Sequence, residues 1–210
     1  MADRVKRRRY ESPRRREAAE RTREAIIGAA RTLFLERGYA LTTLEQVAER
    51  AGVATPTVYA TFGNKRELLF AVAQTARRGD AGSTPLLERH EIKQAHDEQD
   101  PELQIALVAA QVRRMRERTG PIARVIKLAG AVDAEIAARS AQNEQERLGS
   151  MKALARAIRT PGLTTAAAAD VLFALTSNEL YELLVLDRGW SPARYENWLE
   201  QQLRAALLRG

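Results

Sequence analysis

A chain of 210 residues, 45% hydrophobic and 29% charged, is long enough for a sizeable core and too apolar to be disordered. It has no cysteine for disulfides or thiolate metal sites, no apolar run near the roughly 20 residues of a membrane span, and no secretory signal, so it reads as cytoplasmic with no membrane partner. The formal net charge of +7 sits wholly in residues 1–66, which hold 15 Lys and Arg against 8 Asp and Glu, so a polyanion partner is expected for that third alone.

Residues 1–15 are charge-dense around Pro13 and read as a basic disordered arm. Arg7, Arg8, Arg9, Arg14, Arg15 and Arg16 are cations of the kind that enter an A·T-rich minor groove beside a DNA-reading helix. Ile26, Ala29, Ala30, Leu33 and Phe34 then recur at helical spacing, and Gly38 is a natural stop. A second helix opens at Thr42 or Thr43, with Thr42 and Glu45 at capping-box spacing, and closes at Gly52. A third runs from about Thr55 to Phe62, with Pro56 tolerated in its first turn. Asn64 caps a fourth, with Leu68, Leu69 and Val72 on its apolar face. Residues 16–78 therefore form one domain. Residues 79–100, with Gly79, Gly82 and Pro85, read as a linker carrying at most one short helix around Leu86 to Gln94.

Residues 101–210 read as a second domain, helical throughout. Its predicted helices run from Pro101 to Arg118, from Gly120-Pro121 to about Ala131, and from Asp133 to about Arg159. Two more run from Thr164 or Thr165 to about Asp187 and from Ser191-Pro192 to Leu208. With no strand pattern or repeat, the fold class is all-α.

The segment from Leu41 to Lys65 carries the chemistry. A helix-turn-helix needs a first helix that crosses the DNA backbone and a second whose outward side chains are short and polar enough for the major groove. Ala48 is small where the helices cross, and Val53 and Val58 plug the space between them. Thr55, Pro56, Thr57, Tyr59, Ala60 and Thr61 face outward; threonine can bond bases or phosphates and touch thymine methyls. Tyr59 and Lys65 suit phosphate contacts.

The run Thr42-Thr-Leu-Glu-Gln-Val-Ala-Glu-Arg-Ala-Gly-Val, followed by Thr57-Val-Tyr-Ala-Thr-Phe-Gly-Asn-Lys-Arg-Glu-Leu-Leu, resembles the DNA-binding domain of TetR-type transcriptional regulators. The resemblance covers about Thr22 to Ala73, with a softer echo in Trp190-Ser-Pro-Ala-Arg-Tyr-Glu-Asn-Trp-Leu. It implies an N-terminal three-helix helix-turn-helix domain joined to a C-terminal helical ligand-binding and dimerisation domain. The function it implies is a homodimeric regulator, usually a repressor, on a palindromic double-stranded DNA operator. A small-molecule effector would change the separation of its two recognition helices. Carried over by position, Thr57, Tyr59 and Lys65 match residues that commonly contact DNA. Thr55, Pro56 and Thr61 occupy variable reading positions, and Thr42 or Thr43 the backbone-contacting start of the second helix. Members often have Ser where this chain has Ala54, so Thr55 is expected to take over the cap.

Leu172, Leu175, Leu183, Tyr195, Trp198 and Leu203 give the last two helices more apolar surface than one bundle needs, which suits a two-fold interface. Gln104 and Gln111, together with Arg124, interrupt otherwise apolar helices and are candidate lining for a ligand pocket. His90 and His96 stand six apart with no carboxylate or cysteine at ligand spacing, so no catalytic residue, metal or cofactor is assigned and an enzyme is not expected. The rival reading is a DNA-binding dimer whose second domain only dimerises or docks a protein.

Overall fold

The computed structural model describes residues 13–79, 98–158, 160 and 162–208. Arg7, Arg8, Arg9, both histidines and the expected linker helix lie outside the described residues. Among those described, every regular element is a helix, and no helix is long and apolar enough to cross a membrane.

Helix α1 spans Pro13–Leu41, so Arg14, Arg15 and Arg16 belong to its exposed first turns and not to an extended arm. It also continues past the stop expected at Gly38. That glycine interrupts it with φ +76°, and the chain resumes a helical turn to Leu41. Helices α2 (Leu44–Ala51), α3 (Thr55–Phe62) and α4 (Lys65–Arg78) follow through tight turns. Ile26, Ala30 and Phe34 of α1 are fully enclosed by Val47, Val58, Leu68, Leu69 and Val72 from the other three. Asn64 caps α4 by accepting the Glu67 N–H at 3.0 Å.

Helix α5 runs unbroken over Pro101–Gly130 with Pro121 inside it, where two helices were expected. An internal proline costs roughly 3 kcal/mol through a lost bond and a clash with the preceding turn. Here burial on both flanks outweighs that penalty. Val112, Arg116 and Gly120 are buried before the proline, and Ile122, Val125 and Ala129 after it. The two halves also serve different cores. Ile122, Val125 and Ala129 pack with α1–α4, while Ile105, Val108, Ala109 and Val112 pack with the helices that follow.

Helix α6 (Ala134–Ala157) begins at Asp133, whose carboxylate accepts the Glu135 and Ile136 N–H groups. The next expected helix is in fact broken. Helix α7 covers Thr165–Leu175, and α8 covers Asn178–Tyr181 and passes into a π-helical turn over Glu182–Asp187. Three side chains enforce the break. The Thr176 hydroxyl donates to Leu172 O at 2.7 Å, Ser177 caps α8, and the Arg116 guanidinium donates to Thr176 O at 2.5 and 3.1 Å. Helix α9 (Pro192–Leu208) closes the second core with Tyr195, Leu199, Leu203 and Leu207.

Ion pairs tie the two halves together at the first turn of α4. Arg66, two residues beyond Asn64, reaches Asp133 at 3.5 Å and Glu135 at 2.5 Å. Arg139 of α6 reaches Glu67 at 3.0 Å and lies over the Phe70 ring.

Candidate nucleic-acid interface

The turn between α2 and α3 is set by Gly52 at φ +66°, whose N–H returns to Ala48 O and Glu49 O. Val53 N–H also donates to Ala48 O at 3.0 Å, which folds α3 back across α2. Val58 and Phe62 then point inward, while Pro56, Tyr59 and Ala60 remain exposed and Thr55, Thr57 and Thr61 half-buried on the outer side.

Thr43 is the true cap of α2. Its hydroxyl accepts the Gln46 N–H, and the Gln46 side chain accepts the Thr43 N–H at 3.1 Å, so the reciprocal partner is Gln46 and not Glu45. The exposed Thr43 hydroxyl turns its own proton to the Glu45 carboxyl. Thr42 is different: it is fully buried, and its hydroxyl donates to Gly38 O at 2.8 Å. It secures the end of α1 and is out of reach of DNA.

The expected cap on α3 is also corrected. Ala54 is the N-cap, and no side chain bonds there; Thr55 is the first helical residue. Its hydroxyl is therefore not committed to capping, Pro56 carries no N–H, and the Thr57 N–H donates to Ala54 O at 2.9 Å.

Tyr59 is 47% exposed, and its hydroxyl donates to Glu45 Oε1 at 3.3 Å. The Glu45 charge raises the phenol above its ordinary range. Backbone and Thr43 hydrogen bonds hold the Glu45 carboxyl below its usual value. The phenol thus stays protonated, tethered across α2 and α3 on the outer face. The Thr61 hydroxyl donates to Thr57 O at 2.7 Å and retains only acceptor capacity.

Lys65 does not project toward a ligand. Its ammonium donates to Tyr39 O and Thr42 O at 2.9 Å each and, more weakly, to Ala40 O, and it lies 4.4 Å from the Tyr39 ring centre. A cation on carbonyls at the end of α1 sits at the favourable pole of that helix. Burial lowers its pKa. In this arrangement Lys65 clamps α1 to α4.

Behind this surface a cavity of about 350 Å³ opens between α4, α5, α6 and α8. Ala73 and Arg77 form its α4 wall, Met115, Ile122 and Ile126 its apolar α5 side, and Arg116 with Asn178 its inner end. Arg124 lies on the cavity lining, paired with Glu182 and Asp187. Gln104 and Gln111 do not line it. Gln104 is buried, and Gln111 accepts from Arg114 at 3.1 Å. Arg116 was missed in the sequence. The available signal was its place four residues beyond Val112 on the buried stripe of α5.

The expected dimer residues divide. Leu172, Tyr195 and Leu203 are wholly buried within the protomer and are unavailable to a partner. Leu175 and Trp198 are half-buried, and Leu183 is 51% exposed. Among the described residues no group of His, Asp or Glu could hold a metal ion.

A threonine-rich second helix with an exposed outer face, seated across a first helix of equal length, defines a helix-turn-helix of the DNA-binding class. The family model of bacterial regulatory proteins, tetR family, matches residues 26–72. TtgR, an HTH-type transcriptional regulator of Pseudomonas putida, is 48% identical over 59 residues, which cover 28% of each chain. FasR, a transcriptional activator of Mycolicibacterium smegmatis, is 40% identical over 52 residues, 25% of this chain and 24% of its own. The matched stretch thus spans under a third of these curated relatives. NalD of Pseudomonas aeruginosa, described as the secondary repressor of the MexAB-OprM multidrug efflux pump, superposes with a TM-score of 0.66. It is 26% identical, over 91% of this chain and 98% of NalD. A TerR/AcrR-family regulator from Aquifex aeolicus shares the fold at a TM-score of 0.67 and 14% identity, over 87% of this chain and 98% of its own. Residues 26–72 thus match the DNA-binding domain of bacterial regulatory proteins of the tetR family, and the chain as a whole shares its fold with a solved transcriptional repressor.

Proposed function

We propose that the chain is a homodimeric repressor of a palindromic operator, released from DNA when a small molecule enters the cavity between α4, α5, α6 and α8. Thr55, Pro56 and Thr57 read bases, while Thr43 and Tyr59 position the helix once their hydroxyls turn from Glu45 to phosphates. The observation that carries the sensing part is the α4 wall. Ala73 and Arg77 lie on the helix that starts at Lys65, directly after the reading helix. A ligand that displaces this wall displaces α3 with it, and a cavity near 350 Å³ is of the size that holds small molecules. The description of NalD as an efflux-pump repressor supports the negative sign and a drug-like or metabolite effector. A second domain that merely dimerises would have no reason to keep this space open.

The test is selection of duplexes from a random library by the full chain, followed by titration against the winning site and a scrambled control. A palindrome bound at least about a thousandfold more tightly than the scramble is expected. Equal affinity for both, with a steep salt dependence, would reduce the chain to a non-specific polyanion binder.

A further inference from the structure

Arg116 is a buried cation without a carboxylate. It is 5% exposed, and among the described residues no acidic oxygen lies within ion-pair distance of it. Its three hydrogen bonds go to the neutral oxygens of Thr176 and Asn178, Nη1 reaching Asn178 Oδ1 at 2.7 Å. A guanidinium carries five N–H groups, so two remain for another acceptor. Burial pulls it down to about 10, with Tyr195, Arg147, Glu144 and Glu179 as smaller influences, which leaves it charged at neutral pH. Of the other charged groups lining the cavity, Arg124 is paired with Glu182 and Asp187 and Lys127 with Glu182, while Arg77 stands on the α4 wall and Glu179 beside Asn178. Glu144, the acid on the α6 wall, is paired with Arg147.

We infer that the effector is an organic anion, a carboxylate carried on an apolar body, with its charged head on Arg116 and Asn178 and its body along Met115, Ile122, Ala123 and Ile126. This rests on the cavity being the effector site. The chemistry follows from what the cavity lacks. A buried guanidinium is stabilised by an acceptor of opposite charge, and a planar carboxylate matches its donor geometry. The apolar α5 side accepts a body that water rejects. Asn178 can donate its amide N–H to the same head while its Oδ1 remains on Arg116. A cationic drug would instead meet Arg116 head on, a like-charge contact in a dry site.

The test is calorimetric titration of the full chain with three series of matched apolar body. The acids are octanoate, decanoate and 2-naphthoate, set against the corresponding primary amides and alkyl- or aryl-trimethylammonium ions. At least one acid should bind roughly tenfold or more tighter than its amide, the scale of one charge-assisted bond in a buried site. The decisive variant is Asn178→Asp, which keeps the Oδ1 acceptor and gives Arg116 a counter-ion. It should fold and lose the preference for the acid, whereas Lys127→Gln at the cavity mouth should keep it. Arg116→Gln should lose the preference too, and Asn178→Asp carries the test if that variant fails to fold. Amides or ammonium ions binding as well as acids, or an acid preference that survives Asn178→Asp, overturns the anion assignment and leaves the cavity as effector site. Binding of no series overturns both.

Discussion

At the scale of single residues, the interface separates side chains that face DNA from those that hold the reader in shape. Lys65 is the sharpest case, because its place after the reading helix suggests a phosphate contact while its ammonium is occupied by Tyr39 O and Thr42 O. Replacing it with methionine removes both bonds and leaves carbonyls short of a donor. Urea denaturation should show a loss of about 1–3 kcal/mol. The slope of log affinity against log salt should stay unchanged, whereas loss of a true phosphate contact would flatten it by about one. Ala54 offers the opposite change. It is an exposed N-cap with no side-chain bond, so Ala54→Ser should stabilise the domain by about 1 kcal/mol in the same measurement.

At the scale of elements, the sequence shows most clearly what is decided locally. The starts of α4, α6 and α9 are legible because Asn64, Asp133 and Ser191 each satisfy N–H groups within three residues of themselves. The turn at Gly52 is legible for the same reason. The continuity of α5 through Pro121 and the break at Thr176 are not, since both are settled by residues far along the chain. Arg116 stands 60 positions from the carbonyl it holds open, and no local pattern records that bond. The outer face of α3 could be read from its polarity, but the burial of Thr42 and Lys65 depends on how α1 ends. Gly120 sets local propensity against packing directly. Propensity alone makes Gly120→Ala a gain of about 1 kcal/mol. An added Cβ would stand 2.8 Å from Cδ1 of Tyr181, a ring itself held edge-on against Tyr195. Overpacking of that kind costs about 1–3 kcal/mol, so the substitution should be neutral to destabilising by up to about 2 kcal/mol in urea. A clear stabilisation would mean that the α5–α8 contact yields more easily than its burial suggests.

At the scale of the whole molecule, the reader and the second core are joined by α5 and by the Arg66 and Arg139 ion pairs, and the proposed homodimer requires a face on which two copies meet. A single helix-turn-helix reads one half-site, so affinity for a palindrome depends on the dimer holding two readers at a fixed spacing. The apolar residues of the last helices do not contribute equally to such an interface. Leu172 is enclosed within the protomer, and truncating it to alanine should cost about 2–5 kcal/mol of stability while leaving the folded fraction dimeric. Leu183, half exposed on the π-helical turn, faces away from that core. An exposed leucine contributes little to its own protomer, so Leu183→Glu should change protomer stability by less than about 0.5 kcal/mol. Across a two-fold axis the same change buries a pair of carboxylates in apolar surroundings, a cost that proteins avoid by not associating. Sedimentation velocity should therefore show Leu183→Glu as a monomer where the unmodified chain is a dimer. Its operator affinity should fall toward that of a half-site. A Leu183→Glu protein that stays dimeric would move the interface off the π-helical turn and onto another face of the second core.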